Sequence, residues 1–188
     1  MSEPSLPSGG RIVRGFLPIE EAERLLAAAD TNHWRNDLKR RVQHNGWSYD
    51  YRARRVTADM RLGPLPDWLA AVVDSVGALP EFGRRPDQVI VNEYLPGQGI
   101  SGHVDCEPCF GPVIASLSLS GHAEMVLRRS RTGERRSLML EPFTLLILAG
   151  EARYDWTHEI PARKSDLVDG QRQPRGRRVS LTFRTVTV

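Results

Sequence analysis

The chain has 188 residues, 40% of them apolar, which is enough to bury one hydrophobic core and is typical of a single domain. No run approaches the roughly 18 apolar residues of a spanning helix, and the first residues lack the apolar centre of a signal peptide, so no membrane association is expected. Two cysteines are too few for a disulfide framework, and a cytoplasmic location is predicted.

The formal net charge is only +3, but the basic residues are clustered. The main clusters are Lys39–Arg41, Arg52–Arg55, Arg128–Arg129 and Arg175–Arg178. Such clusters suit a polyanion such as nucleic acid, and a solvated basic face is the alternative interpretation.

The N-terminal part predicts a tail followed by two helices. Residues 1–10 are rich in Ser, Pro and Gly and predict a disordered tail, so the domain is expected to span residues 11–188. Pro18 begins an amphipathic helix with an acidic first turn. A second amphipathic pattern follows Pro66 and is interrupted by Gly77. We expect both helices to pack against one side of a sheet.

From residue 88 onward the pattern changes to short β-type runs separated by Gly and Pro. The runs are Gln88–Leu95, Pro112–Leu119, Glu124–Arg128, Ser137–Leu140, Phe143–Ala149 and Arg178–Val186. In the last run apolar and polar residues alternate, which predicts a strand with one face of each kind. The lack of a βαβ rhythm argues against a Rossmann-type or α/β-barrel enzyme. The sequence therefore predicts a mainly β (α+β) domain, with a sandwich or jelly roll over about residues 88–188.

His103 and Asp105 are separated by one residue, so in an extended segment both side chains leave the backbone on the same side. Two histidines and one carboxylate on one face of the metal are the ligands of non-haem iron(II) oxygenases. His158 is the natural candidate for the second histidine. An H-x-D tripeptide is weak by itself, because a histidine is more often a surface or structural residue than a ligand.

Arg178 and Arg184 lie six residues apart on one face of the last predicted strand. This spacing is about 20 Å at the rise of a strand, and two long side chains leaning together would leave a gap for a short dicarboxylate. Ser180 between them offers a hydroxyl donor. Asn92 and Tyr94 are again two residues apart and can donate to an anion. The alternative for the arginines is an exposed charged face.

These elements occur together in the order N-x-Y, H-x-D, H and R-x5-R. They are Asn92-Glu93-Tyr94, His103-Val104-Asp105, Trp156-Thr157-His158 and the run from Arg178 to Arg184. In this set the chain resembles the AlkB family of iron(II)- and 2-oxoglutarate-dependent dioxygenases, over most of its length from residue 11 onward. The segments Tyr94–Ile100 and Trp156–His158 are most similar to the eukaryotic homologues associated with tRNA and to their bacterial counterparts.

The resemblance implies a double-stranded β-helix that binds iron(II) and 2-oxoglutarate. The implied iron ligands are His103, Asp105 and His158. The implied contacts to 2-oxoglutarate are Asn92, Tyr94 and Arg178 at one carboxylate, and Ser180 with Arg184 near the end that chelates iron.

The resemblance also implies a nucleotide-recognition lid, over about residues 36–64. Its candidate substrate contacts are Arg40 and Arg41 for phosphate, and Trp47 or Tyr51 for stacking on an extruded base. Aromatic residues in such a run are otherwise more often part of a core. Glu107, just after the H-x-D motif, offers an acceptor for a base amino group.

Cys106 and Cys109 form a C-x-x-C sequence. A zinc site needs four ligands, and no second pair exists. A redox disulfide is a secondary possibility, because no thioredoxin-like context surrounds the pair. We interpret the two cysteines as small buried residues.

The implied function is oxidative dealkylation of N-alkylated bases in DNA or RNA by a monomeric enzyme. The reaction uses iron(II) as its metal cofactor, consumes 2-oxoglutarate and O2, and releases succinate, CO2 and an aldehyde. Two alternatives remain open: stable hydroxylation of a modified tRNA base or a protein side chain, and a catalytically silent nucleic-acid-binding domain. The intact ligand set argues against the silent domain.

Overall fold

Two antiparallel sheets face each other across a cavity in the computed structural model, which describes residues 6–188. The helices are α1 (Ile19–Thr31), α2 (Ala70–Gly77) and α3 (Gly150–Tyr154), with 3-10 turns at Ala58–Met60 and Asp67–Leu69. The strands are β1 (Gly10–Val13), β2 (Arg41–Asn45), β3 (Gln88–Tyr94), β4 (Ile100–His103), β5 (Ile114–Ser120), β6 (Ala123–Arg129), β7 (Arg135–Leu140), β8 (Leu145–Leu148), β9 (Trp156–Ile160), β10 (Ser165–Val168), β11 (Gln171–Pro174) and β12 (Arg178–Arg184).

The larger sheet has the strand order β1-β8-β5-β12-β3-β2 and carries the two long helices on one face. The apolar residues of β12, namely Val179, Leu181 and Phe183, are fully buried in the core between this sheet and the helices. The alternation that the sequence showed in this strand is therefore confirmed. So are the two backing helices, which bury one regular apolar stripe each.

The smaller sheet has the order β4-β9-β6-β7 and faces the other side of the larger sheet. A second core forms between them, in which Leu146 and Leu148 of β8 pack with Met125 and Ile160. The polar face of β12 lies toward the cavity between the sheets. The predicted mainly β architecture is confirmed, and its last strand separates the helical core from the cavity.

The N-terminal boundary differs from the prediction. Residues 1–5 lie outside the described residues, whereas residues 6–10 are ordered against α3. The carbonyl oxygens of Ser8 and Gly9 accept hydrogen bonds from backbone N–H groups of the α3 region, and Gly10 begins β1. A disordered tail is therefore wrong for residues 6–10, because these backbone bonds extend the edge of the sheet. Within residues 6–188, none of the helices has the length and hydrophobicity to span a bilayer.

Candidate active site

Two antiparallel strands bring the candidate metal ligands together. His103, at the end of β4, lies directly opposite His158 of β9, and their ring centroids are 4.3 Å apart. Gly99 permits this approach, because a Cβ there would overlap the carbonyl oxygen of Ile160. Asp105 follows on a segment outside the strands, and one ligand atom from each of the three residues lies within 4.8 Å of the others.

Each of these side chains keeps a coordinating atom free. Nδ1 of His103 lies 2.8 Å from the carbonyl oxygen of Ser101, which can only accept, so Nδ1 carries the proton and Nε2 keeps its lone pair. Oδ1 of Asp105 accepts from Arg184 at 2.7 Å, whereas the buried Oδ2 has no hydrogen-bond partner among the described residues. This Oδ2 lies 3.9 Å from Nε2 of His158. An unpartnered carboxylate oxygen beside two imidazoles fits a divalent metal such as iron(II).

The surroundings keep the carboxylate ionised and both imidazoles neutral. Burial alone opposes the charge of Asp105, but Arg184 and the two histidines outweigh it and hold the pKa of the carboxyl group below its ordinary value. Burial, reinforced by the neighbouring His103, lowers the pKa of His158 to about 4. Burial also lowers the pKa of His103, against the opposing effect of Asp105. These are the protonation states that a metal requires of its ligands.

A buried arginine that the sequence analysis did not identify anchors the loop that carries Asp105. Arg153 lies on α3, is only 2% exposed, and donates to the backbone carbonyl oxygens of Asp105 at 3.0 Å and Cys106 at 3.4 Å. Burial lowers the pKa of its guanidinium group. No sequence motif signals this role, since both acceptors are backbone atoms.

Cys106 and Cys109 form a disulfide bond in the same loop. Both are buried as predicted, but their interpretation as two separate small residues is wrong, because the tight turn places their Cα atoms 5.3 Å apart. Their sulfur atoms lie 3.1 and 3.7 Å from the carbonyl oxygen of Arg54. The Arg54 guanidinium in turn donates to the carbonyl oxygen of Val104 at 3.0 Å. The Arg54 guanidinium therefore joins the H-x-D loop to the segment 36–64, and the disulfide packs against the same residue.

Arg178 lines the same cavity, whose volume is about 490 Å³. It is 2% exposed, donates to the hydroxyls of Ser180 at 3.3 Å and Ser118 at 2.9 Å, and lies 5.5 Å from the centre of the Tyr94 ring. Within residues 6–188 no carboxylate forms an ion pair with it, and its Nε has no partner. Burial lowers the pKa of Arg178 to about 10. A buried cation surrounded by hydroxyls and a ring suits an anionic ligand.

Arg184 lies beside the candidate metal ligand Asp105. It forms an ion pair with this carboxylate at 2.7 Å, and a second amino group donates to Gln88 at 3.2 Å. Ser180, in contrast, accepts a hydrogen bond from Arg178 at 3.3 Å. The joint contact of Ser180 and Arg184 with 2-oxoglutarate stays a prediction.

The two neighbouring arginines of the predicted lid, one just before β2 and the other at its first residue, have different surroundings. Arg40 is 9% exposed and lines the cavity, where its Nε donates to Oδ1 of Asn92 at 3.1 Å. Arg41 forms a two-bond ion pair with the buried carboxylate of Glu93, at 2.7 and 2.8 Å, and lies over the ring of Trp34. The expected phosphate contacts on the surface are not what the structure shows, because successive residues of an extended segment alternate in direction.

The aromatic residues of the predicted lid also fall into two groups, those that line the cavity and one that does not. Tyr51 lines the cavity, and so does Tyr49, which the sequence analysis did not single out; their rings meet edge to face at 5.0 Å. Trp47 is only partly buried and packs against a small apolar cluster that includes Phe110, outside the cavity lining. Glu107 is exposed and outside the cavity lining. The segment 36–64 thus forms one wall of the cavity through its tyrosines and Arg40.

Comparisons with known proteins agree with this geometry. The family model described as the 2OG-Fe(II) oxygenase superfamily matches residues 27–184. An Arabidopsis thaliana protein named "Alkylated DNA repair protein ALKBH8 homolog" is 37% identical, over 98% of this chain and 60% of that protein. A Mus musculus protein named "tRNA (carboxymethyluridine(34)-5-O)-methyltransferase ALKBH8" is 32% identical, over 99% of this chain and 32% of that protein. A solved structure described as "The structure of OsALKBH1" superposes with a TM-score of 0.67 at 17% identity, covering 96% of this chain and 98% of that one.

The fold and the site define a 2-oxoglutarate- and iron(II)-dependent oxygenase. Within that superfamily, the chain belongs to the AlkB family. The shared fold confirms the predicted double-stranded β-helix. Proteins of this family use iron(II) and 2-oxoglutarate, and the free Oδ2 of Asp105, the neutral imidazoles and the unpaired Arg178 fit both groups. The chain spans only 60% and 32% of the two named relatives.

Proposed function

We propose that this oxygenase removes alkyl groups from nitrogen atoms of bases in DNA or RNA. One observation carries the proposal. One cavity is lined by the three candidate iron ligands, by Arg178, and by two tyrosines of the wall that segment 36–64 forms. Within residues 6–188, no carboxylate forms an ion pair with this arginine. Tyrosine rings in such a wall can stack on a base that has been flipped out of the nucleic acid.

In this assignment His103, Asp105 and His158 hold the metal. Bound together, iron(II) and 2-oxoglutarate activate O2 for hydroxylation of a C–H bond, with succinate and CO2 as the other products. Arg184 holds Oδ1 of Asp105 and so leaves Oδ2 for the metal. Arg153 fixes the backbone of the same residue, which keeps the carboxylate in place without a bond to it.

Arg178 binds one carboxylate of 2-oxoglutarate in this assignment. Its amino groups donate to the hydroxyls of Ser180 and Ser118, and those hydroxyls keep hydrogen atoms that can turn toward the same anion. Leu146 and Leu148 form part of the cavity wall and exclude water around the cosubstrate. Charge-assisted contacts are strongest in such surroundings.

Hydroxylation of an N-methyl carbon gives a product that separates into formaldehyde and a base with a restored N–H. The chain must present that carbon to the metal, and we assign this task to Tyr49 and Tyr51. Arg52 and Arg55 are exposed near the tip of segment 36–64, and within the described residues neither side chain makes a hydrogen bond or a short ion pair. We assign them the phosphate contacts first expected of Arg40 and Arg41.

Stable hydroxylation of a modified tRNA base is the second candidate. It is favoured by the relatives named as tRNA methyltransferases, with which this chain aligns over nearly its whole length. The two outcomes differ in the product. Dealkylation releases an aldehyde, whereas stable hydroxylation adds one oxygen atom to the nucleoside and releases none.

The test is to measure succinate and formaldehyde with methylated single-stranded DNA, methylated duplex DNA and tRNA side by side. Formaldehyde in step with succinate supports dealkylation, and succinate with an oxidised nucleoside supports the second candidate. Succinate formation that no nucleic acid stimulates overturns the choice of substrate class. Absence of succinate under every condition, with nucleic acid still bound, supports the silent domain.

Salt dependence tests the phosphate contacts independently of the lesion. The double variant Arg52→Gln with Arg55→Gln is expected to reduce the slope of log affinity against log salt by about 2, since each lost contact changes it by roughly 1. Arg41→Gln is the matched control, because its guanidinium group is bound to Glu93. Equal slopes for the double variant and the parent would remove these residues from the interface.

A further inference from the structure

Arg40 is a cavity arginine whose terminal amino groups have no partner. Its Nε donates to Asn92, and the rings of Tyr51 and Tyr94 lie 5.6 and 5.8 Å from its guanidinium carbon. Within residues 6–188, no carboxylate forms an ion pair with it, and neither terminal amino group meets an acceptor. A cation that is 9% exposed and lacks an anion is costly unless a bound molecule supplies one.

The hydroxyl group of Tyr51 offers a second free donor to the cavity, because His44 acts as the donor in the hydrogen bond between the two side chains. Arg35 and the backbone N–H of Tyr49 both donate to Nδ1 of His44, at 2.9 and 3.3 Å, so that nitrogen is an acceptor. Burial, helped by the charge of Arg35, lowers the pKa of His44 to about 4, so the ring is neutral and Nε2 carries its hydrogen. Nε2 therefore donates to the Tyr51 hydroxyl at 3.1 Å, and the phenolic hydrogen remains free for another acceptor.

The charges around the cavity are strongly unequal. Its lining contains the basic residues Lys39, Arg40, Arg54, Arg178 and Arg184, and a single carboxylate, that of Asp105. Iron(II) and 2-oxoglutarate carry opposite charges of equal size, so binding both leaves the excess of positive charge unchanged. Glu107, the acceptor expected for a base amino group, lies outside the lining.

We infer that Arg40 and Tyr51 form a recognition site that offers free donors, and that it takes a base presenting carbonyl or carboxylate oxygens. The inference deepens the proposed function and rests on it. It predicts that the enzyme discriminates between two classes of alkylated base. In 3-methyluracil the ring is neutral and both groups beside the methylated nitrogen are carbonyls. In 3-methylcytosine the ring is cationic at neutral pH and one of these groups is an amino donor, which Arg40 and Tyr51 repel.

The experiment uses two oligonucleotides that differ in one base, 3-methyluridine or 3-methylcytidine, each made as single-stranded RNA and as DNA. Demethylation is followed by formaldehyde release, and affinity by fluorescence anisotropy without oxygen, with manganese(II) and 2-oxoglutarate present. The 3-methyluridine strand is expected to be favoured by about 10- to 100-fold, the size of one hydrogen bond to a charged group. Equal use of the two strands, or preference for 3-methylcytidine, overturns the inference and leaves the proposed function standing. Failure of every strand to bind overturns both.

Variants show whether these two residues cause the preference. Arg40→Met removes the charge and the donors at similar length, and Tyr51→Phe removes only the hydroxyl. Both are expected to reduce the preference, mainly through KM for the 3-methyluridine strand, with the 2-oxoglutarate requirement unchanged. Lys39→Met is the matched control, since it removes a charge at the exposed mouth and changes both affinities by the same factor. A raised 2-oxoglutarate requirement with an unchanged preference would place Arg40 on the cosubstrate and overturn the inference.

Discussion

Arg178→Met separates cosubstrate binding from stability, because the buried guanidinium group has opposite effects on the two. Loss of a charge-assisted, two-bond contact to a carboxylate in a desolvated cavity removes about 2–4 kcal/mol of binding free energy. The affinity for 2-oxoglutarate is therefore expected to fall by about 30- to 1000-fold. Arg178→Lys should recover only part of this, because one ammonium group cannot reproduce the planar pair of donors.

The stability of the cosubstrate-free protein is expected to change in the other direction. Burial lowers the pKa of Arg178 to about 10, and a base whose pKa falls on folding destabilises the folded state at every pH below that value. Arg178→Met removes this cost of burying a charge and loses two hydrogen bonds to Ser118 and Ser180. The variant is therefore expected to unfold at the same or a higher temperature than the parent when 2-oxoglutarate is absent.

Calorimetric titration with 2-oxoglutarate and thermal unfolding with and without it measure both effects. Arg177→Gln is the matched control, because this neighbouring guanidinium group is bound to Asp30 and Glu93 and is not part of the cavity lining. It should leave 2-oxoglutarate binding unchanged. If Arg178→Met binds 2-oxoglutarate like the parent while Arg177→Gln does not, the assignment of the two arginines is reversed. If Arg178→Met binds normally and Arg177→Gln does too, the clamp lies elsewhere.

Three further changes test other parts of the site. Asp105→Ala should abolish both iron retention after gel filtration and succinate formation, since the only negatively charged ligand is removed; near-normal succinate formation would contradict the metal assignment. Trp47→Ala should lower the free energy of unfolding by about 1–2 kcal/mol without changing oligonucleotide affinity, because the partly buried ring packs against an apolar cluster; weaker binding at unchanged stability would place it in the substrate wall. Replacing Cys106 and Cys109 together by alanine should cost at most about 2 kcal/mol, since the closed loop is short, yet it should speed hydrogen exchange in that loop and around Arg54. Unchanged exchange at both places would show that the disulfide does not couple them.

The strands that the sequence predicted are those that carry several apolar residues, on one face as in β12 or on both faces as in β8. In β12, Val179, Leu181 and Phe183 alternate with polar residues and fill the helical core, so the period of two was visible. Strands β4 and β9 were missed because their residues serve the site. Ser101 and Gly102 precede His103 where an ordinary strand would carry apolar residues, so no β-type pattern marks the segment.

The sequence located the segment 36–64 that forms a wall of the cavity, but it could not identify which residues of the segment face the cavity. Between β2 and α2 the backbone forms isolated bridges and two 3-10 turns, so neither helical nor strand periodicity assigns a face to each aromatic ring. Trp47 and Tyr51 therefore looked equivalent, although Trp47 packs against a small apolar cluster and Tyr51 lines the cavity. Arg40 and Arg41 looked like one basic pair, although strand alternation already places adjacent residues on opposite faces.

The R-x5-R spacing predicted two arginines on one face of a strand. It did not predict which anion each arginine binds, because those anions belong to other segments of the chain or to a ligand. Asp105 arrives from the loop after β4 and binds Arg184, whereas Arg178 meets only hydroxyls and a ring. A buried cation needs an acceptor of its own, since sharing one carboxylate among several leaves the others uncompensated. Among residues 6–188, the one carboxylate that lines the cavity is bound to Arg184, so the cosubstrate is left for Arg178. The third buried arginine of the cavity lining, Arg40, then requires an acceptor from the substrate, and for this reason the identity of the base depends on the charges of the cavity.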